Sequence, residues 1–131
     1  MRAALTVLAL ACATACGGPV DTGSGGFSSE ASQVVQSTHG LELRLFEQVG
    51  HPLARGVNQV RVEVSGDVES LELTPWMPVM GHGSTVRPTI ERDESGFIIS
   101  SLTLAMPGQW ELRCALHGAV DDDAIFNVEV R

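Results

Sequence analysis

The chain contains no tyrosine, only three cysteines and only eight lysine and arginine residues, against sixteen aspartate and glutamate residues. A formal net charge of −8 leaves no basic patch to neutralise phosphates, which argues against a nucleic-acid partner. Cys12 and Cys16 lie close to the start of the chain, so the remainder contains Cys114 alone. No disulfide can therefore form within the folded part, and its stability must come from a hydrophobic core.

Long apolar segments are also missing. The most extended one, residues 3–11, is interrupted only by Thr6 and follows Met1 and Arg2. It is too short for a membrane-spanning helix, which needs about 20 apolar residues. A short apolar run after a basic start is typical of a secretory signal peptide.

Small residues precede both Cys12 and Cys16, and Gly17 and Gly18 follow the second. This arrangement resembles the cleavage site of a bacterial lipoprotein, although neither cysteine has the usual leucine three residues upstream. Cys16 is favoured over Cys12 as the lipidated residue because a polar, glycine-rich segment begins directly after it. We therefore predict a signal peptide over 1–15, a flexible linker over 16–38, and a domain facing the periplasm that is anchored to the inner or outer membrane.

Residues 39–131 are enough for a single domain. Alternation of apolar and polar residues predicts about seven strands, near 40–46, 57–64, 68–75, 84–91, 97–104, 109–117 and 124–130. No segment has the pattern of an amphipathic helix. The fold class is therefore predicted to be all-β, an immunoglobulin-like antiparallel β-sandwich. Pro88 cannot donate a hydrogen bond to a neighbouring strand, so the fourth strand should lie at a sheet edge.

The predicted sixth strand places Trp110, Leu112, Cys114 and Leu116 on one face. This apolar face indicates that Cys114 is a buried, unreactive side chain. No serine or cysteine has a histidine and carboxylate partner at a recognisable spacing, so an enzymatic function is not expected.

In a sandwich whose strands reverse direction in turn, alternate loops gather at alternate ends. The first, third and fifth loops then lie together, and they carry His51, Met77, Met80, His82 and Met106. The other end receives acidic turns that include Asp67, Asp93, Glu94 and residues 121–123.

Three thioethers and one imidazole, from Met77, Met80, His82 and Met106, form a soft donor set that selects Cu(I) over harder cations. Gly81 and Gly83 frame the histidine and give the backbone freedom to turn it outward. The alternative is that Met77, Met80 or Met106 closes the end of the hydrophobic core while His82 hydrogen-bonds across the turn.

The sequence gives weaker support for two other kinds of metal site, a calcium site and a zinc site. The run Asp121, Asp122 and Asp123 lacks the alternating ligand spacing of a calcium loop and is better explained as a solvated acidic turn. A zinc site would have to draw on four histidines that the predicted loop order spreads over both ends, His39, His51, His82 and His117.

Two motifs connect the chain to a known family. One is the run Met77 to Gly83 (MPVMGHG), and the other is the run from Leu102 to Leu112, which contains Met106-Pro107-Gly108-Gln109-Trp110. From about Gly56 to its end, the chain resembles the YtkA-like/FixH-like family of exported or membrane-anchored bacterial domains. The resemblance implies an immunoglobulin-like sandwich and a role in copper handling or in the assembly of copper-containing oxidases.

This chain departs from that family in having a predicted lipid anchor instead of a transmembrane helix, which weakens a direct role in oxidase assembly. Two functions stay open at this point. One is a periplasmic Cu(I)-binding module that buffers copper or delivers it to a copper-receiving protein. The other is an accessory module that binds an envelope protein through its loops or a sheet edge, without metal.

Overall fold

The structure is a computed structural model that describes residues 26–131. The predicted signal peptide, Cys12 and Cys16 lie outside these residues. Nine strands make up the regular structure of the described part: β1 Gln33–Gln36, β2 Glu42–Glu47, β3 Gly56–Val64, β4 Val68–Met77, β5 His82–Gly83, β6 Thr89–Arg92, β7 Phe97–Leu104, β8 Gly108–Gly118 and β9 Asp122–Val130. Residues 26–131 include no helix long and apolar enough to cross a membrane.

The strands form two sheets that enclose the core, and every strand pair is antiparallel. One sheet has the order β1-β2-β3-β7-β6, and the other has the order β5-β4-β8-β9. Without β1 and β5, one sheet has four strands and the other has three, and the strand order in both is that of a constant-type immunoglobulin domain. The predicted all-β antiparallel sandwich is therefore confirmed, with nine strands instead of seven.

The first additional strand, β1, lies inside the segment predicted to be a flexible linker. Its register pairs Gln33 with Leu45 and Gln36 with Glu42 of β2. The alternation rule did not indicate this strand because it is a four-residue edge strand with no fully buried side chain. It is held by its pairing with β2 and by Val35, which packs against the core, and local composition does not reveal these contacts.

The second additional strand arises because the predicted fourth strand is divided between the sheets. β5 pairs with β4, whereas β6 pairs with β7 in the opposite sheet. Both run in the same direction, so the chain changes sheet without reversing, and the order of the loops at the two ends is unchanged. Both are also edge strands, as Pro88 just before β6 predicts.

The core lies between the sheets and follows the alternation seen in the sequence. β8 buries Trp110, Leu112, Cys114 and Leu116, as predicted, and β9 buries every second residue from Asp122 to Val130. Cys114 is 2% exposed, and burial raises the pKa of its thiol to about 12. The thiol is therefore protonated at neutral pH, consistent with the unreactive role expected for it.

Strand pairing confirms the grouping of loops at the two ends. Trp76 lies opposite Glu111, and Gly56 lies opposite Leu104, so the loops 48–55, 78–81 and 105–107 share one end. We call these three loops the methionine end. The turns 65–67, 93–96 and 119–121 lie at the opposite, acidic end, beside the β1–β2 turn.

Candidate metal centre

The β4–β5 hairpin forms the most prominent loop of the methionine end. The backbone N–H groups of Met80 and Gly81 donate to the carbonyl of Met77 at 3.2 and 3.0 Å. Gly81 has a φ of 67°, a left-handed conformation that favours glycine over any residue with a Cβ. The turn leaves Val79 83% and Met80 53% exposed at its tip.

His82 follows this turn and lies directly opposite Met77 in the register of β4 and β5. Opposite residues of an antiparallel pair share a face, with Cβ atoms about 4.5–5.5 Å apart. The pairing requires Gly83, because a Cβ there would lie 2.5 Å from the carbonyl oxygen of Pro75. His82 is exposed, and its Nδ1 lies 3.3 Å from the carbonyl oxygen of Gly83.

Met106 belongs to the β7–β8 turn, and its backbone position is fixed by Trp110. The buried indole N–H of Trp110 donates to the carbonyl of Met106 at 2.9 Å. The Met106 side chain is half-buried against the core. A Cβ on Gly108 would lie 2.9 Å from Cε of Met77, so the Met77 methyl group packs against the backbone just beyond Met106.

The structure thus brings all four predicted ligands to one end of the sandwich, but in different environments. Met77 is 6% exposed and belongs to the core, as the core-closing alternative expects of a methionine. Met80 and His82 are exposed, so neither of these two side chains closes the core. His51 is also exposed at this end, on the loop between β2 and β3 of the other sheet.

Charge is unevenly distributed between the two ends. The three loops of the methionine end contain no acidic residue and one basic residue, Arg55, although the whole chain has sixteen acidic residues. Hard cations such as Ca²⁺ and Mg²⁺ prefer carboxylate ligands, whereas Cu(I) prefers thioethers and imidazoles. The side-chain donors within these three loops are therefore mainly soft ones, and the carboxylate of Glu47 lies beside them, 3.5 Å from the backbone N–H of Leu53.

At the acidic end, Asp122 differs from the solvated turn residue that the sequence predicts. Its side chain is buried and accepts hydrogen bonds from the Ser37 hydroxyl, from Nδ1 of His39 at 2.9 Å and from the backbone N–H groups of His39 and Asp123. Burial favours the neutral acid, but these donors outweigh it and lower the pKa of Asp122 to about 2. Because Asp122 belongs to β9 and accepts hydrogen bonds from Ser37 and His39, it connects the β1–β2 turn to β9. No sequence signal indicates this, since Ser37 lies 85 residues away.

His117 lies between two carboxylates on the outer face of the four-stranded sheet. Its Nδ1 is 3.3 Å from Asp121 and its Nε2 is 3.4 Å from Glu72. The hydrogen bond to Asp121 first, and then that to Glu72, raises the pKa of His117 above its ordinary value. Over residues 26–131, no three His, Cys, Asp or Glu side chains are arranged to hold a metal ion.

Comparison of the chain with models of protein families, with curated proteins and with solved structures gave no match in any of the three.

Proposed function

We propose that this protein is a lipid-anchored periplasmic module that binds Cu(I) at its methionine end and buffers it or delivers it to a copper-receiving protein. Met80 and His82 would be the accessible ligands, and Met106 and Met77 would complete the donor set. The anchor in this proposal is Cys16, and the resemblance to the YtkA-like/FixH-like family is part of the same proposal.

The observation that carries the proposal is the meeting of the β4–β5 hairpin with the β7–β8 turn, which connects the two sheets. The register of β4 and β5 sets Met77 opposite His82, and the β7–β8 turn with Met106 lies beside the end of β4. Two of the four side chains are exposed and one is half-buried, so an incoming ion has direct access to sulfur and imidazole donors.

The donor set fits copper by its chemistry. Thioethers carry no proton to displace at any ordinary pH, and an imidazole adds one stronger nitrogen ligand. Bound Cu(I) would be held without a change in redox state. A partly exposed site could also pass the ion to another protein without unfolding the sandwich.

The test is an anaerobic Cu(I) titration of the purified protein against a competing chelator. Met80→Leu preserves side-chain volume but removes the sulfur, and His82→Ala removes the imidazole. Both should weaken Cu(I) binding while the fold is retained. His51→Ala is the matched control, because His51 is an exposed histidine at the same end but on the opposite sheet. Equal affinity in all three variants and the wild type would reject the site.

A second function rests on the exposed apolar tip formed by Val79 and Met80. Two adjacent apolar side chains exposed at the tip of a turn form a small apolar surface that a protein partner could contact. In that case Val79→Ser should abolish the interaction with an envelope protein, and Met80→Leu should leave it unchanged. A wild-type protein without measurable Cu(I) affinity would favour this accessory function.

A further inference from the structure

The edge of β4 that faces away from β8 is only partly covered. β5 pairs with Trp76 and Met77 alone, so no strand lies beside the rest of that edge. In antiparallel pairing, the N–H and C=O of one residue point to the same side of the strand, and those of the next residue point to the other side. Alternate β4 residues therefore direct their backbone groups to the uncovered side.

Two hydrogen bonds identify these residues. The carbonyl of Pro75 accepts from the N–H of Ser84 at 3.3 Å, and the carbonyl of Glu69 accepts from Nη1 of Arg92 at 3.1 Å. Both partners lie on the side away from β8, so Leu71 and Leu73 between them direct their backbone groups the same way. Within residues 26–131, no strand, turn or side chain satisfies the N–H and C=O groups of Leu71 and Leu73 on that side.

A cleft of about 440 Å³ opens along this uncovered edge, where the chain crosses from one sheet to the other between β5 and β6. Its lining includes Leu73 and Thr74 of β4 and Val86, Arg87 and Ile90 from the crossing segment and β6. The cleft therefore combines unpaired backbone groups with a mainly polar lining that also includes the apolar side chains of Val86 and Ile90. Backbone pairing and side-chain contacts are the two components by which a sheet edge recognises an added strand.

The charged residues that line the cleft indicate which kind of peptide strand can bind there. Arg87 is exposed and forms no ion pair with any described residue, whereas Glu72, the acidic residue of the cleft, already lies beside His117. The guanidinium of Arg87 is therefore a charged group of the cleft that has no ion-pair partner among the described residues. A carboxylate on the incoming segment would make a charge-assisted hydrogen bond with the Arg87 guanidinium.

We propose that the free edge of β4 binds an extended peptide segment of a partner protein that carries an acidic side chain. The segment pairs with the backbone of Leu71 and Leu73, and its carboxylate contacts Arg87. Pro75 at one end and the Arg92–Glu69 contact at the other limit the pairing to a short stretch. This surface is separate from the methionine end, and the proposal does not depend on metal binding.

The first measurement is amide hydrogen exchange followed by NMR on the whole protein without ligand. The amides of Leu71 and Leu73 should exchange rapidly, whereas those of Glu72 and Thr74, which face β8, should be protected. Slow exchange at Leu71 and Leu73 would overturn the proposal, because the edge would then already be paired. Protection that increases with protein concentration would instead indicate pairing with a second copy and would equally overturn it.

The second measurement is a titration with a short peptide of alternating threonine and valine that carries a central glutamate. The amides of Leu71 and Leu73 should shift and become protected, and an N-methylated form of the peptide should have no effect. Arg87→Glu should weaken binding about tenfold, the scale of one charge-assisted hydrogen bond. Arg55→Glu, an exposed arginine on the methionine end, is the matched control. The proposal would be refuted if binding were unchanged by N-methylation of the peptide or by Arg87→Glu. Absence of binding at millimolar peptide concentration would also refute it.

Discussion

Trp110 holds the turn that carries Met106. Its indole is buried in the core, and its N–H donates to the Met106 carbonyl at 2.9 Å. This hydrogen bond connects Trp110, the aromatic residue of β8, to the turn that contains Met106, a proposed metal ligand. A core side chain thus determines the backbone position at the methionine end.

Replacing Trp110 by phenylalanine should therefore affect both stability and the candidate site. The substitution keeps an aromatic ring but leaves the Met106 carbonyl without its donor, so unfolding free energy should fall by about 1–3 kcal/mol. Urea denaturation measures this change. Cu(I) affinity should also fall in the folded protein. Trp76→Phe is the control, since Trp76 is half-buried, stacks with Arg113 on the outer face and should affect neither quantity strongly.

The methionines of the β4–β5 hairpin should respond differently to truncation. Met77→Ala opens a cavity in the core and should cost about 2–5 kcal/mol of unfolding free energy. Met80→Ala removes an exposed side chain and should change stability by no more than about 0.5 kcal/mol. Equal destabilisation by the two substitutions, measured in urea, would mean that Met80 also packs in the core.

Cys114 should be inert in the native protein. With its thiol pKa raised to about 12 by burial, a thiol reagent should label it only after denaturant is added. Cys114→Val is a near volume-conserving apolar swap and should cost less than about 1.5 kcal/mol. Cys114→Asp should prevent folding because it buries an unpaired charge. Rapid labelling of the folded protein would contradict this assignment.

Asp122 should make stability depend on pH in the acid range. Its folded pKa of about 2 lies below the ordinary 3.8, so the unfolded state binds the proton more readily. The stabilisation by its carboxylate is therefore complete above pH 3.8 and is lost as the pH falls through about 2. Asp122→Asn should lower the urea midpoint at neutral pH, and the difference from wild type should shrink in acid. Glu94→Gln, at an exposed turn position, is the control and should show neither effect. A pH-independent difference would mean that the charge of Asp122 is unimportant.

The proposed lipid anchor at Cys16 can be tested directly. Cys16→Ser should release the exported protein from the membrane fraction, whereas Cys12→Ser should not. Globomycin, which inhibits lipoprotein signal peptidase, should leave the precursor uncleaved, and mass spectrometry of the mature protein should find a diacylglyceryl group on Cys16. A mature terminus at any residue other than a cysteine would reject lipidation.

Local pattern alone specified much of this protein. The alternation along β8 identified Trp110, Leu112 and Cys114 as core residues, because side chains of a strand point to opposite faces in turn. The order of reversing strands predicted that the loops with Met80 and Met106 lie at one end. Residue chemistry indicated a soft donor set there and separated it from the acidic turns.

Tertiary structure decided what depends on distant partners. β1 exists because β2 offers it a hydrogen-bonding edge, and Asp122 is buried because Ser37 and His39 reach it from the far end of the chain. Met77 lies in the core, whereas Met80, three residues later, is exposed to solvent, because the turn after β4 begins between them. Such outcomes depend on contacts between residues far apart in sequence, and neither composition nor periodicity encodes those contacts.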